Sequence, residues 1–243
     1  MELYGLVGKT LVYSFSRNFF EKLFVEQKID AEYRNFELQD IVQIRDVFEL
    51  NPSGLNVTIP YKEAIIPFLD DLSDEVKEIG AVNVIEFKEG KKIGHNTDAY
   101  GFQQSIKPFL TNKHERAMIL GTGGASKAVA YVFRKIGIDV VFVSRDPQGP
   151  KEFPYEAINE HMVNACKVVV NCTPVGTFPA VDESILFPYH HLTADHLVVD
   201  LIYNPEKTKF LQLSEANGAT ILNGESMLKE QALKAWSVWQ ESK

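Results

Sequence analysis

Cysteine is nearly absent from this chain: of 243 residues only Cys166 and Cys172 carry a thiol. Two cysteines six positions apart build no disulfide framework and match no common zinc spacing, so buried thiols in a reducing cytosol are the expectation. The six histidines, at 95, 114, 161, 190, 191 and 196, fall into no H-E-x-x-H or comparable chelating pattern, and no metal site is expected. No apolar run approaches the length of a membrane span. The opening MELYGLVGK lacks a basic region followed by a long apolar core, which predicts a soluble, cytoplasmic protein. Basic residues are outnumbered, 25 against 33 acidic, for a formal charge of −8. With no basic stripe to offset it, nucleic acid is excluded as the main partner, whereas an anionic small molecule needs only a local positive pocket. Internal repeats and low-complexity tracts are also missing.

What is present is an ordinary globular composition, 45% hydrophobic and 24% charged, in a chain long enough for one large or two modest domains. The most informative stretch is MILGTGGASK, Met118 to Lys127. A short apolar run ends on Gly121, Gly123 and Gly124 and restarts as the helix-forming Ala125-Ser126-Lys127-Ala128. Such a turn leaves bare amides at a helix N-terminus, where the helix dipole and unpaired N–H groups attract phosphate. Glycine serves the tight turn and keeps any Cβ away from a pyrophosphate. G-x-G-x-x-small also occurs in ordinary turns, and Ser126 replaces the third glycine of the usual fingerprint. The next apolar run, Ile138 to Val143, falls where the second strand of a βαβ unit belongs, with Ala128 to Lys135 as crossover helix. After it comes Ser144-Arg145-Asp146. Arg145 reads as a guanidinium for adenine and a 2′-phosphate, favouring NADP, or equally as a surface arginine at a strand end. Asp146 argues against a 2′-phosphate unless it points outward.

The first hundred residues alternate strand and helix: strands at Leu3 to Val7, Glu32 to Leu38 and Leu55 to Ile59, helices at about Asn18 to Gln27 and Ile41 to Leu50, and helical turns from Lys62 to Ile79. A hairpin follows, Asn83 to Phe87 with Lys92 to Gly94 across Lys88-Glu89-Gly90-Lys91. This predicts a mostly parallel α/β sheet. A second series begins near Ala117 and continues through Ile138 to Val143, Val168 to Asn171, Leu197 to Leu201 and Thr220 to Leu222, several of them apolar on both faces as in a sheet covered by helices. Between the two lies a linking helix, Ala99 to Leu110, which Pro108 ends or kinks; Ser226 to Gln240 is helical too. The expected organisation is therefore a first domain over 1–101, joined by a closing helix within 225–243, and a Rossmann domain over 102–224, around a cleft that opens and closes.

Polar clusters sit at the predicted strand ends, where open α/β sheets bind ligands. Ser14 and Ser16 would point the same way in extended chain, or serve as a helix N-cap. In Asn56-Val57-Thr58-Ile59-Pro60-Tyr61-Lys62, Asn56 and Thr58 share a face and Pro60 stops the strand, sending Lys62 into a turn at its edge. Such a lysine can donate a proton to a substrate oxygen, or be a solvated surface residue. In His95-Asn96-Thr97-Asp98, the carboxylate either joins that site or caps the linking helix.

The set SFS, NVTIPYK, GAVN, NTDAYG, GTGGAS, NCTPVG, DLIYNP and NGESMLKEQA, spanning residues 14–232 in order, strongly resembles the shikimate dehydrogenase family. The resemblance implies NADP-dependent, reversible reduction of 3-dehydroshikimate to shikimate in aromatic amino acid biosynthesis, by a monomer or homodimer. It implies Lys62 and Asp98 as the catalytic pair. Ser14, Ser16, Thr58, Asn83, Asp98, Tyr203 and Gln231 would bind substrate. Gly121, Gly123, Gly124, Ala125, Ser144, Arg145, Thr173, Ile202, Gly224 and Met227 would bind the cofactor, with Met227 near the nicotinamide.

Departures from that pattern are equally specific. Arg17-Asn18 follows SFS where relatives carry proline and histidine, adding a cation beside the serine pair. Ser144-Arg145-Asp146 replaces Asn-Arg-Thr, with no second arginine before Pro150, which predicts weaker discrimination against NAD. His95 changes the local charge, and the segment after Trp239 is shorter than usual, implying a reduced closing element. The rivals are a quinate or aminoshikimate dehydrogenase, a methylene-tetrahydrofolate-type dehydrogenase, and a dinucleotide sensor that has lost chemistry. Retention of both Lys62 and Asp98 argues against the sensor.

Overall fold

The structure is a computed structural model that describes residues 1–11 and 14–241. The chain divides into two compact units: Met1–Gly101 with Glu230–Lys243, and Phe102–Lys229. The last two residues of the expected closing segment, 242 and 243, lie outside the described residues.

The first unit runs β1 (Glu2–Gly8), α1 (Phe15–Gln27), β2 (Ala31–Glu37), α2 (Ile44–Phe48), β3 (Gly54–Val57), α3 (Tyr61–Ala64), β4 (Asp71–Leu72), α4 (Asp74–Ile79), β5 (Val84–Lys88) and β6 (Lys91–His95). Helix α5 (Thr97–Ile106) then begins in this unit and continues into the other. The six-stranded sheet has the order β2-β1-β3-β5-β6-β4. β1 is parallel to β2 and β3 and β4 is parallel to β6, whereas β5 is antiparallel to both β3 and β6, so the hairpin interrupts an otherwise parallel sheet. The hairpin turn is tighter than predicted. Lys88 pairs with Lys91, leaving Glu89 and Gly90 alone in the loop at φ of 50° and 75°. Positive φ at both central positions matches the right-handed twist of the strands, and glycine accepts it without strain.

Two further expectations are corrected. Helix α1 starts three residues early, at Phe15, with Ser14 as its N-cap accepting from the Arg17 amide at 3.1 Å. Ser16 therefore lies in a helical turn, and the extended geometry that would aim both hydroxyls one way does not occur. The helical run expected over 62–79 is interrupted after Ala64 by a tight turn, Ile66–Phe68, and by the short strand β4. Pro67 inside that turn has no N–H with which to continue the helix.

The second unit contains β7 (Arg116–Leu120), α6 (Gly124–Lys135), β8 (Asp139–Val143), β9 (Glu152–Phe153), α7 (Glu160–Ala165), β10 (Val168–Asn171), β11 (Leu197–Asp200), α8 (Lys209–Ala216) and β12 (Thr220–Leu222). All its strand pairs are parallel, in the order β12-β11-β10-β7-β8-β9. The strand order reverses between β7 and β10, and this Rossmann switch point is where such sheets place a dinucleotide. Helix α5 gives way after Ile106 to a tight turn holding Pro108, so the linking helix is shorter than Ala99 to Leu110.

Helix α9 (Glu225–Glu241) closes the chain, its residues from Glu230 belonging to the first unit. There Trp239 is buried and donates from Nε1 to the Ile85 carbonyl at 3.1 Å. Tyr4, Phe20 and Phe24 surround it, with ring centroids of Tyr4 and Phe20 at 5.0 and 5.2 Å. Gly54 permits this packing: a Cβ there would stand 2.5 Å from the indole.

Candidate functional site

In the first unit the polar ends of β3, β5 and β6 converge on one cluster. Lys62 in α3 places Nζ 2.5 Å from Asp98 Oδ2, although the two are 36 positions apart. Both side chains are largely buried, 14% and 8% exposed, so the pair is shielded from bulk screening. Asp98 is not the cap of α5. That work falls to Asn96, whose Oδ1 accepts from the Ala99 amide at 3.2 Å while its Nδ2 donates to the Ala81 carbonyl at 2.8 Å. The Asp98 carboxylate is thereby left for Lys62.

Asn83 organises the rest. Its Nδ2 donates to Asp98 Oδ1 at 2.9 Å, lies 3.1 Å from Thr97 Oγ1 and 3.3 Å from Gln231 Oε1, and its Oδ1 accepts from the Thr97 amide at 2.7 Å. Each Asp98 oxygen thus has a donor, and the ammonium of Lys62 keeps two further N–H groups for another acceptor. The cluster can present a cation and hydrogen-bonding groups to an oxygen of a small polar molecule.

Sequence reasoning missed Tyr33 and Thr97. Tyr33 is buried on β2 and donates to Asn56 Oδ1 at 2.7 Å; Asn56 in turn donates to the Asn83 carbonyl at 3.4 Å. Ser16 hydrogen-bonds the same phenol, and burial pushes that phenol well above its ordinary range. A tyrosine in an alternating strand reads simply as core, and Thr97 between two turn formers reads as part of the turn. Thr58 follows β3, partly exposed, its amide bonded to the Val7 carbonyl at 2.8 Å. Arg17 is exposed and paired with Glu21 at 2.8 Å, and His95 Nε2 lies 2.7 Å from Glu86 Oε2.

In the second unit the glycine turn follows β7. Gly121 has φ of +103°, the left-handed region, and a Cβ on it would lie 3.1 Å from Thr173 Cγ2. Gly123 is the N-cap of α6 with no side-chain cap bond, and a Cβ on it would meet nothing within 4 Å. The turn at Gly123 is therefore open at the N-terminus of α6, and the amides of a helix N-terminus suit a pyrophosphate. Ser126, in place of the third glycine, turns inward and donates to the Gly123 carbonyl at 2.6 Å. Beyond β8, the Asp146 amide donates to Ser144 Oγ at 3.1 Å, and Arg145 and Asp146 are exposed. Arg145 lies close enough to Tyr155 to favour its ionised form, although burial pushes that phenol up overall. Ile202 and Met227 are buried, Tyr203 is half-buried, and Gly224 packs so closely that a Cβ would run into the Leu201 carbonyl. Among the described residues no group of three or more His, Cys, Asp or Glu could hold a metal ion.

A family model described as the shikimate dehydrogenase substrate binding domain matches residues 6–85. The shikimate dehydrogenase (NADP(+)) of Aquifex aeolicus is 37% identical over 249 residues, covering 98% of this chain and 91% of the relative. Among solved structures, shikimate 5-dehydrogenase from Thermus thermophilus, in complex with NADP(H) and shikimate, aligns with a TM-score of 0.87 at 29% identity over 99% of this chain and 94% of that one. A quinate dehydrogenase from Corynebacterium glutamicum, in complex with NAD, aligns with a TM-score of 0.87 at 30% identity over 99% and 94%.

Proposed function

The chain belongs to the shikimate dehydrogenase family, and from that premise we propose that it interconverts 3-dehydroshikimate and shikimate with NADP as hydride carrier. The observation that carries the reading is the shielded Lys62–Asp98 pair, held by Asn83 beside Gln231. We assign substrate binding to the first unit, through Ser14, Ser16, Thr58, Asn83, Asp98 and Gln231; the family resemblance adds Tyr203 as a substrate-binding residue. Cofactor binding falls to the second unit, with the amides of Gly121 to Ala125 on the pyrophosphate and Arg145 on the 2′-phosphate. Ser144, Thr173, Ile202, Gly224 and Met227 complete that site.

NADPH, when bound by these residues, would supply the hydride for the ketone carbon. Charge then develops on the carbonyl oxygen, and Lys62 stabilises it by hydrogen bond and delivers the proton that completes the alcohol. In the reverse direction the neutral amine takes the hydroxyl proton as hydride leaves. Asp98 fixes one N–H of the ammonium and so aims the other two. Asn83, saturating the second carboxylate oxygen, keeps Asp98 from rotating away.

Lys62→Ala tests the assignment. Turnover is expected to fall by roughly 10²- to 10⁴-fold, the range of general acid–base catalysis, with a much smaller change in KM for shikimate. A variant with near wild-type kcat would remove Lys62 from the mechanism. The C. glutamicum relative, similar at 30% identity, makes quinate with NAD the second reading.

A further inference from the structure

The mechanism leaves one buried acid unused. Asp200, the last residue of β11, is 0% exposed, and all its partners are neutral donors. Oδ1 accepts from Asn171 Nδ2 at 2.9 Å and from the Ile202 amide at 3.0 Å, and Oδ2 accepts from Thr208 Oγ1 at 2.6 Å. A carboxyl group without a cation is an expensive occupant of an interior, and burial pushes this one up to about 6. Its placement shows what it could repay. Asn171 ends β10, the neighbouring strand. With its Nδ2 committed to Asp200, its Oδ1 faces the opposite way and accepts from both the amide and the hydroxyl of Thr173, at 2.9 and 2.7 Å. Thr173 is the residue whose methyl group stands over Gly121. A carboxamide can sit either way round, and an acceptor at 200 is what selects this orientation. The same oxygen anchors Ile202, whose carbonyl accepts from the Gly224 amide at 3.1 Å.

We infer that Asp200 is a positioning residue for the dinucleotide: by orienting Asn171 it fixes the loop after β10, which lies beside the glycine turn, and by holding the Ile202 amide it fixes the loop after β11, one strand further on. The inference rests on the reading of the second unit as the NADP site. Hydrogen bonds join Asp200 to Asn171 and Asn171 to Thr173, and side-chain packing completes the path to Gly121. Thr208 is a separate branch that engages the other oxygen and caps α8 through the Leu211 amide at 3.3 Å.

Calorimetry with NADP+, KM for shikimate, thermal melting and amide exchange over residues 172–177 together test this. Asp200→Ala is expected to weaken NADP+ binding by about tenfold, leave KM for shikimate unchanged and speed exchange at Thr173 and Val175. Asp200→Asn keeps an acceptor oxygen toward Asn171 and should restore binding. Thr208→Val should lower the melting temperature without weakening NADP+. If Asp200→Ala does not fold, Asn171→Ala cuts the same link one residue on and should reproduce the loss. Wild-type affinity in Asp200→Ala or Asn171→Ala overturns the inference, as does a loss in Thr208→Val equal to that in Asp200→Ala. A wild-type protein that fails to bind NADP+ contradicts the cofactor reading instead. The exchange data then decide alone, since unchanged exchange in Asp200→Ala overturns the positioning role and faster exchange supports it.

Discussion

Asp98 shows how a single side chain is assigned its work by its neighbours. Two residues earlier, Asn96 takes over the helix cap, and 15 residues earlier Asn83 occupies one carboxylate oxygen, so the other is free for Lys62. The Asn96 cap is local, but the links of Asp98 to Asn83 and Lys62 are not, and spacing alone could not have paired Lys62 with Asp98. The pairing was legible only through the order of the motifs. A helix N-cap was legible at the serine pair, but the pattern favoured Ser16 where the structure has Ser14, and the run of hydrogen bonds from Ser16 through Tyr33 and Asn56 to Asn83 left no mark in the sequence, because buried tyrosine and asparagine look like any other strand residues. Asp200 carries the residue-scale prediction. Its carboxyl, raised by burial to about 6 from an unfolded value near 3.9, takes up a proton on folding between those limits. It therefore contributes stability that is fully present below about pH 4 and is lost as pH rises through about 6. The stability of Asp200→Asn relative to wild type should climb by about 2 kcal/mol between pH 4 and pH 7 in urea melts. A pH-independent difference would refute it. His196 works in the opposite sense: burial lowers it, so its contribution is present above about pH 6.5 and lost as pH falls.

At the scale of elements, the strands most legible in advance were those buried on both faces. Val168–Asn171, buried at every position, coincides with the apolar run that predicted it; the edge strand Thr220–Leu222 also lies where expected, although it is only partly buried. Strands β4 and β9, of two residues each, are too short to show any period and were not anticipated. The glycine turn is the element with the most specific chemistry. Gly121→Ala puts a Cβ onto a backbone at φ +103° and within 3.1 Å of Thr173. NADP+ affinity should fall by at least about tenfold, while shikimate binding to the first unit, measured by calorimetry, stays the same. Equal loss of both would mean that the turn serves folding and not the cofactor.

For the molecule as a whole, the first unit is discontinuous in sequence: residues 1–101 are completed by 230–243. Apolar periodicity showed that the last segment is helical, but which core it enters depends on Trp239, whose indole fills the space above Gly54. Truncation, Trp239→Ala, should cost about 3–5 kcal/mol of stability in the first unit, read as a lowered midpoint in denaturant. A loss below about 1 kcal/mol would show that α9 is held elsewhere. The chemistry of the whole chain is tested most directly by following reduced-nicotinamide absorbance while purified protein is offered shikimate or quinate, each with NADP+ or NAD+. Signal growth fastest with shikimate and NADP+, and lost in Lys62→Ala, is the predicted result. Turnover of quinate with NAD+ in preference, or no turnover of any pair by folded protein, would contradict it.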